Sequence, residues 1–197
     1  AGAVVSVDTR HPGVMTQATA AGAKLINDIA ALTHPGAMEA AAQSGAAVIL
    51  MHSNADPRTM QDAPNFDDVV LNVYDYLEAR IDACEAAGIS RENLIADPGI
   101  GFAKTPDHNA DLLSALAMFH GLGVPLLLGI SRKSFIGHFS DGEAAEDRLP
   151  GSLAAALWGT AQGAAILRVH DIAETRQALN IWQTCSGAAP ERVPASS

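Results

Sequence analysis

The stretch LLLGISRKSFIG, residues 126–137, joins a continuous apolar run to two adjacent cations, Arg132 and Lys133. Apolar side chains at successive positions indicate a strand that is buried on both faces, as in a parallel sheet. The two cations therefore lie at the end of a buried strand, although the chain of 197 residues carries a net charge of -10. Local positive charge in an acidic chain points to a small anionic ligand.

The composition limits which partners the protein can have. An acidic balance argues against nucleic acid or an anionic membrane as the main partner. No apolar stretch approaches the roughly 20 residues that cross a bilayer, and the first residues lack the pattern of a signal peptide. Cys84 and Cys185 lie far apart and match no metal-site spacing, so we expect free thiols in a cytoplasmic protein.

Six apolar runs alternate with helical stretches, a pattern that is typical of repeated strand–helix units. The runs are AVVSVDT, AKLINDI, AAVILMH, NLIADPG, VPLLLGIS and AAILRVH. The longest helical stretch, residues 66–88, has Val69, Val73 and Leu77 on one face and Gly88 as its stop. Residues 105–121 form another, with a Thr-Pro start and a Gly end. The sequence therefore predicts an α/β protein with a parallel sheet.

Two architectures fit this order. A doubly wound open sheet would collect its ligand at one switch point, whereas a (β/α)8 barrel places chemistry at the carboxyl ends of many strands. Nearly every strand here ends near a polar residue: Asp8, Asn27, His52, Asp97, Lys133 and His170. That distribution favours the barrel, although a whole barrel takes eight units and roughly 250 residues. We therefore expect an incomplete TIM (β/α)8 barrel, six of eight βα units equivalent to strands 3–8, over residues 1–185, and a disordered tail at 186–197.

Four potential cations would gather at one mouth of such a barrel. If the first two units are absent, the last two visible strands are strands 7 and 8, whose loops frequently bind phosphate in barrels. These strands carry Arg132, Lys133, Arg168 and His170. The alternative is that the first two are solvated loop charges and that His170 caps a helix. Their joint placement favours an anion site.

Three hydrogen-bonding side chains end other strands of the predicted barrel. Asp8, Asn27 and Asp97 would ring one cavity, and carboxylates and an amide suit the N–H donors of a flat, nitrogen-rich ring. Asp97 also fits ordinary turn chemistry, because it begins Asp-Pro-Gly. Asp28 neighbours Asn27 and should point away from the cavity, so we interpret it as a helix cap or as a residue that supports the site from behind. Met51 is suited to packing or to flooring a ring pocket.

In this order and spacing, the strand ends resemble the dihydropteroate synthase family of folate biosynthesis. The motifs that carry the resemblance are SVDT, INDI, MH, DPGIGFAKT, GISRKSFIG and RVHDIAET, with PRTMQDAPNFDDVV and EDRLPGSLAAALWGTAQGAAILRVHD in support. The resemblance covers residues 6–182. It implies a (β/α)8 barrel that joins 4-aminobenzoate to hydroxymethyl-dihydropterin pyrophosphate, releases pyrophosphate, forms dihydropteroate and is a target of sulfonamides.

The resemblance also implies roles for individual residues. Asp8, Asp97 and Lys133 would be catalytic. The residues that bind or line the pterin slot would be Asp8, Asn27, Ile29, Met51, Asp97, Phe102, Gly129 and Lys133. Arg168 and His170 would hold pyrophosphate. Ser134 would contact the aminobenzoate carboxylate, with Arg132 either adding positive field or bracing the loop.

The resemblance implies a Mg²⁺ cofactor and a homodimer packed through the late helices. The family's magnesium-ligating asparagine motif, on its first strand, and the motif of its second strand find no counterpart here. We therefore expect no metal ligand in this chain and little or no catalysis by this chain alone. Three other functions stay open. A pterin-binding methyltransferase shares the barrel but needs no pyrophosphate site, a non-catalytic pterin-binding remnant would not capture aminobenzoate, and a sugar-phosphate barrel leaves Asp8, Asn27 and Asp97 unexplained.

Overall fold

A computed structural model describes residues 2–53 and 66–187. Its strands are β1 (Ser6–Asp8), β2 (Leu25–Asp28), β3 (Ala47–Met51), β4 (Leu94–Asp97), β5 (Leu127–Gly129) and β6 (Ile166–Arg168). Its α-helices are α1 (Pro12–Ala20), α2 (Ala37–Ser44), α3 (Val69–Ala86), α4 (Pro106–Ser114), α5 (Ser134–His138), α6 (Leu149–Ala161) and α7 (Ile172–Cys185). Short 3-10 helices span Arg91–Asn93, Leu116–Leu122 and Ala145–Asp147. The order confirms the predicted α/β protein and all six predicted strands.

The strands run parallel and follow one another in chain order. Strands β1 to β4 form one sheet and β5 pairs with β6. A parallel bridge from Ala96 to Leu126 joins the two parts, and the amide of Ala96 donates to the carbonyl of Pro125 over 3.0 Å. Within the described ranges, β1 and β6 are each paired on one side only. The six strands therefore form a continuous curved sheet, which is the expected part of a barrel.

Two apolar layers lie on opposite faces of this sheet because successive strand residues point to opposite sides. One face packs against the helices and contains fully buried side chains such as Ile26, Leu50 and Leu94. The other face carries a smaller layer with one member from each of five strands: Leu25, Ile49, Ile95, Leu127 and Ile166. Side-chain layers of this kind fill the inside of a barrel.

The helices follow the sequence prediction with two exceptions, of which one is the short helix α5, which was not predicted. Asp68 caps α3 by accepting from the amides of Val70 and Leu71, and Gly88 follows the helix at φ +90°. The predicted helix over residues 105–121 instead divides into α4 and a 3-10 helix. Near the break, the carbonyl of Leu113 accepts a hydrogen bond of 2.9 Å from the Trp158 indole of α6, a tertiary contact that periodicity does not reveal.

Several other predictions concern the ends of elements. Strands β5 and β6 end two residues before Ser131 and His170, where the chain leaves the ladder. The two cysteines are free thiols, as predicted: Cys84 is buried and Cys185 is exposed. None of the helices in the described ranges is both long and apolar enough to cross a bilayer. Residues 188–197 of the predicted tail and residues 57–65 of the motif PRTMQDAPNFDDVV lie outside the described residues.

Candidate active site

A cavity of about 330 Å³ opens where the carboxyl ends of the strands converge. Its lining comes from the last residues of β1, β5 and β6 and from the loops after β2, β4, β5 and β6. It consists of Asp8, Ile29, Phe102, Gly129, Ser131, Lys133, Arg168, Val169 and His170. The carboxyl ends of parallel strands meet at one edge, so residues far apart in the sequence share this space. The structure thus brings seven of the predicted site residues together at one cavity.

Asp8 and Asn27 form the first pair of polar groups at this edge. They are register partners on β1 and β2, and the Asn27 Nδ2 donates to the Asp8 Oδ1 over 2.8 Å. Asn27 is buried, and its Oδ1 has no hydrogen-bond partner among the described residues. A buried acceptor without a donor is costly. An N–H group of a bound ligand would relieve that cost.

Asp97 is the second carboxylate and lies deeper, with 1% of its surface exposed. One of its oxygens accepts a 2.8 Å hydrogen bond from the amide of Gly99. Burial raises the pKa of Asp97, while the Gly99 bond and the cations of Lys133, Arg168 and Lys104 oppose that rise. The turn predicted for Asp-Pro-Gly is therefore present, and the same carboxylate lies among cations.

Lys133 belongs to the loop after β5, and its side chain reaches the loop after β4. Its Nζ donates to the carbonyl of Ile100 and lies 4.6 Å from the ring centroid of Phe102, a cation–π distance. Burial lowers the pKa of Lys133 to about 8, against the attraction of Asp97. The side chain thus presents a partly desolvated ammonium at the wall of the cavity, beside an aromatic ring.

Arg168 and His170 form the cationic side. The Arg168 Nη1 lies 4.0 Å from the Asp8 Oδ2, across the gap between β6 and β1. The imidazole Nδ1 of His170 lies 3.0 Å from the Ser131 Oγ, and the amide of His170 donates to the same oxygen over 3.3 Å. Ser131 therefore holds both the ring and the backbone of His170. Its position in the motif GISRKS was the only sequence signal for this role.

The structure does not bring Arg132 and Ser134 into the cavity. The guanidinium of Arg132 makes an ion pair with Asp171. The backbone carbonyl of Arg132 accepts a 3.0 Å hydrogen bond from Arg148 Nη1. Arg132 has φ +59°, a left-handed backbone conformation that residues other than glycine rarely adopt. Of the two roles considered for Arg132, bracing the loop agrees with these contacts, whereas the ion pair with Asp171 offsets the positive field that Arg132 would add at the aminobenzoate. Ser134 is exposed at the start of α5.

Three predicted pterin-site residues lie beneath the cavity surface. Asn27, Met51 and Asp97 are buried and do not contribute to its lining. Asp28 accepts hydrogen bonds from the amides of Ala30 and Leu32 at 2.8 and 3.0 Å, so it points away from the cavity and closes the turn after β2 without capping a helix. Sequence reasoning missed Ser131 and Lys104, both inside quoted motifs.

The described residues do not form a metal site by themselves. Across residues 2–53 and 66–187, no three or more His, Cys, Asp or Glu side chains cluster in a way that could hold a metal ion. The acceptors nevertheless come from β1, β2 and β4 and the cations from the chain at the ends of β5 and β6, and the two sets meet where Arg168 lies 4.0 Å from Asp8. Asp8, Asn27 and Asp97 supply acceptors, whereas Arg168 and His170 supply donors. This arrangement suits a ring with N–H groups that carries an anionic substituent.

Comparison with known proteins agrees with this geometry. The family described as "Pterin binding enzyme" matches residues 1–170. The dihydropteroate synthase of Escherichia coli strain K12 is 49% identical over 184 residues, which are 93% of this chain and 65% of that protein. The chain thus spans about two thirds or slightly less of the length of the curated relatives it matches.

Solved structures give the same result. The dihydropteroate synthase of Yersinia pestis with a sulfonamide drug has a TM-score of 0.91 at 42% identity, and the match covers 95% of this chain and 68% of that one. The Xanthomonas albilineans enzyme in complex with 7,8-dihydropteroate has a TM-score of 0.87 at 46% identity, over 93% and 67% of the two chains. These matches confirm the predicted resemblance and the incomplete TIM barrel. This chain belongs to the pterin-binding enzyme family.

Proposed function

We propose that the protein acts as a dihydropteroate synthase, which joins hydroxymethyl-dihydropterin pyrophosphate to 4-aminobenzoate. The amine nitrogen of aminobenzoate bonds to the pterin methylene carbon, the bond from that carbon to the pyrophosphate oxygen breaks, and the amine loses a proton to solvent. One observation carries the proposal, namely that the ends of β1, β2 and β4 supply hydrogen-bond acceptors and the ends of β5 and β6 supply cations at one cavity. The relatives named above carry the same activity in their names.

In this proposal the pterin ring binds on the acceptor side of the cavity. Asn27 Oδ1 has no partner among the described residues, and Asp97 is buried at the end of β4, so both would accept from ring N–H and amino groups. Ile29, Phe102 and Gly129 would form the walls, and Met51 would support the floor from below. Lys133 would donate to the pterin carbonyl.

The pyrophosphate binds on the cationic side. Arg168 can form forked hydrogen bonds to phosphate oxygens, and His170 is oriented by Ser131. Gly129 matters here because a Cβ at this position would lie 3.3 Å from the Arg168 Nε and Nη2. Its lack of a side chain leaves the space that the guanidinium occupies above β5.

Charge stabilisation on both sides of the breaking bond would drive the reaction. Asp8 and Asp97 would stabilise positive charge that develops on the pterin methylene, while Arg168 and His170 stabilise the departing pyrophosphate. The arylamine is neutral at pH 7, so the reaction needs no strong general base. For aminobenzoate, the exposed Ser134 is the proposed contact for the carboxylate, next to Lys133.

Three finer features belong to the proposal. Magnesium would enter with the pyrophosphate and take ligands other than a cluster of the described residues, and no step above depends on it. A homodimer would bury apolar side chains that are exposed on α7, Ile172 and Ile181. The protein would act in the cytoplasm, since folate synthesis uses charged, soluble substrates.

A pterin-binding methyltransferase is the second candidate, and the cationic side of the cavity separates the two. Methyl transfer from a folate releases no pyrophosphate, so a methyltransferase would have no ligand for Arg168 and His170 to bind. The same residues also argue against a pterin-binding remnant without catalysis. The two alternatives therefore predict that pyrophosphate adds little to the affinity for the pterin.

Calorimetry with three ligands tests the proposal. We expect hydroxymethyl-dihydropterin pyrophosphate to bind more tightly than the pterin alone, and aminobenzoate to bind only after it. Lys133→Ala should weaken all pterin binding, whereas Arg168→Ala should remove only the advantage that pyrophosphate gives. Lys24→Ala and Arg176→Ala, at exposed positions outside the cavity, are the matched controls. A folded protein that binds no pterin, or equal affinity with and without pyrophosphate, would contradict the proposal.

A further inference from the structure

Lys104 uses all three protons of its ammonium group inside the protein. Its Nζ donates to the carbonyl of Gly99 over 3.0 Å and to that of Phe102 over 3.2 Å, and it lies 3.0 Å from the His52 Nδ1. The carbonyl of His52 also lies 3.4 Å from Nζ, so three N–H donors serve four acceptors. Such a saturated, largely enclosed cation is unusual because lysine is rarely buried without a specific partner.

The acceptors belong to a loop with an unusual backbone. In residues 97–104, Gly99 and Gly101 have φ values of +70° and +80°, and Ala103 has φ +46°. A non-glycine residue in this region costs energy and persists only where surrounding contacts fix the chain. Those contacts come from Lys104 and from Asn109, whose Oδ1 accepts from the amide of Gly101 over 2.6 Å.

The same loop carries much of the acceptor side of the cavity. Asp97 begins it, Phe102 lines the cavity, and the carbonyl of Ile100 accepts from Lys133. Two lysines thus hold neighbouring carbonyls of one loop. Lys133 does so at the cavity wall, and Lys104 does so away from the cavity lining, against the end of β3.

His52 is suited to be the fixed point of this arrangement. Its ring packs edge-on against Tyr76 of α3 with the centroids 4.9 Å apart, and its backbone carbonyl lies against Gly99, where an added Cβ would come within 1.9 Å of it. Burial, followed by the nearby charge of Lys104, lowers the pKa of His52 to about 3. The imidazole is therefore neutral near pH 7, so its Nδ1 can accept a hydrogen bond from Lys104 Nζ.

We propose that Lys104 is a positioning residue for pterin binding, which ties the 97–104 loop to His52 and thereby fixes Asp97 and Phe102. The inference rests on the proposed function for its ligand, but the coupling of Lys104 to the loop can be measured without any ligand. Lys104 lines no part of the cavity and touches no substrate in this arrangement. Its effect on binding is therefore indirect.

Charge agrees with this geometry. Burial lowers the pKa of Lys104 to about 7, Asp97 opposes that change and Lys133 adds to it. The other titratable groups near Lys104 are His52, which contacts its Nζ, and Tyr76, which packs against His52. Deprotonation would leave Nζ with two protons for four acceptors, so the loop should loosen as the pH rises through about 7.

A binding experiment separates positioning from general stability. Lys104→Met keeps the length of the side chain and removes its donors, and Lys24→Met is the exposed control. For Lys104→Met we expect the affinity for hydroxymethylpterin to fall by about tenfold, as the loss of one charge-assisted hydrogen bond would give. The affinity for inorganic pyrophosphate should stay within about twofold, because Arg168 and His170 lie on another loop. Unchanged pterin affinity, or an equal loss for both ligands, would overturn the inference.

A second measurement needs neither a variant nor a ligand. The chain has three lysines, Lys24, Lys104 and Lys133, so their ¹³Cε signals can be resolved and titrated by NMR. We expect the Lys104 signal and the methyl signals of Ile100 to shift with one shared midpoint, near pH 7. An Ile100 signal that does not follow Lys104 would refute the coupling. If wild-type protein bound no pterin, the proposed function would fail, and this titration would still decide the inference about the loop.

Discussion

Arg132 and Asp171 form a two-pronged ion pair that joins the loop after β5 to the residue that precedes α7. The Arg132 Nε lies 3.0 Å from the Asp171 Oδ2, and Nη2 donates to Oδ1. Arg132 sits between Ser131, which holds His170, and Lys133, which holds the 97–104 loop. The ion pair therefore ties together the two loops that carry the cationic side of the cavity.

Breaking this ion pair should weaken pyrophosphate binding although neither residue lines the cavity. Arg132→Gln and Asp171→Asn should each reduce the affinity for pyrophosphate. The double variant should lose no more affinity than the single variant that binds pyrophosphate more weakly, because the two side chains act as one unit. Calorimetry of the four proteins measures this. Glu85→Gln, which breaks the exposed pair with Arg91, is the control. Losses that simply add would contradict the prediction.

Asn27→Leu should separate stability from binding. Because Asn27 Oδ1 is buried without a partner among the described residues, its removal relieves a cost of about 1–3 kcal/mol, which offsets the loss of the Nδ2 bond to the exposed Asp8. We therefore expect the free energy of unfolding to be unchanged or higher. Pterin affinity should fall, since the proposed acceptor is lost. In the matched variant Asn109→Leu, both amide atoms lose partners, Gly101 and Thr105, and the protein should be destabilised. Urea unfolding and pterin titration measure the stability and the affinity of both variants. Marked destabilisation by Asn27→Leu would contradict the prediction.

Gly99→Ala should damage the protein more than its backbone conformation explains. An added Cβ would lie 1.9 Å from the His52 carbonyl oxygen at φ +70°. Gly45 has a similar φ of +64° but no atom within 4 Å of an added Cβ. Gly45→Ala should therefore cost roughly 1–2 kcal/mol from strain alone, whereas Gly99→Ala should cost more and also lose pterin affinity. Equal unfolding free energies for the two variants would show that the close approach to His52 is unimportant.

Lys133 should make stability and pterin affinity change in opposite directions with pH. Its folded pKa of about 8 lies below the usual 10.5 because of burial. Between these values the unfolded chain binds more protons than the folded one, so stability rises with pH, by at most about 1.4 kcal/mol per pH unit for this residue. Pterin affinity should instead fall through pH 8, as the ammonium loses its proton.

Lys133→Met isolates this contribution. Urea unfolding from pH 7 to 10 should show a smaller rise for Lys133→Met than for wild type and for Lys24→Met. The part of the pterin affinity that is lost near pH 8 should also disappear in Lys133→Met. The assignment would be wrong if the variant kept the full wild-type pH profile.

Much of the fold and part of the site could be predicted from the sequence. Six continuous apolar runs separated by helical stretches require strands that are buried on both faces, and short connections leave a parallel sheet as the result. The polar residues that follow those runs then meet at one edge, as Asp8, Lys133, Arg168 and His170 do. The period of two also separates Asn27 from Asp28, since neighbours on a strand point to opposite faces.

Side-chain directions in the loops could not be predicted. Arg132 and Lys133 are adjacent and chemically alike, yet one pairs with Asp171, 39 positions away, and the other with Ile100, 33 positions away. Lys104 stands in a quoted motif, but its acceptor His52 lies 52 positions earlier. Such contacts depend on how distant loops pack and on single backbone turns such as φ +59° at Arg132, which local patterns do not encode.

The sequence by itself determined the parallel sheet, the edge at which the chemistry gathers and the resemblance to the pterin-binding family, because burial and periodicity are properties of neighbouring residues. Only the tertiary structure decided which cations face the cavity, that Arg132 braces a loop, and that the ammonium of Lys104 is enclosed beneath Gly99 and Phe102. The physical reason is that hydrogen-bond acceptors for buried charges must come from wherever the folded chain brings them, and that place is set by packing between distant segments.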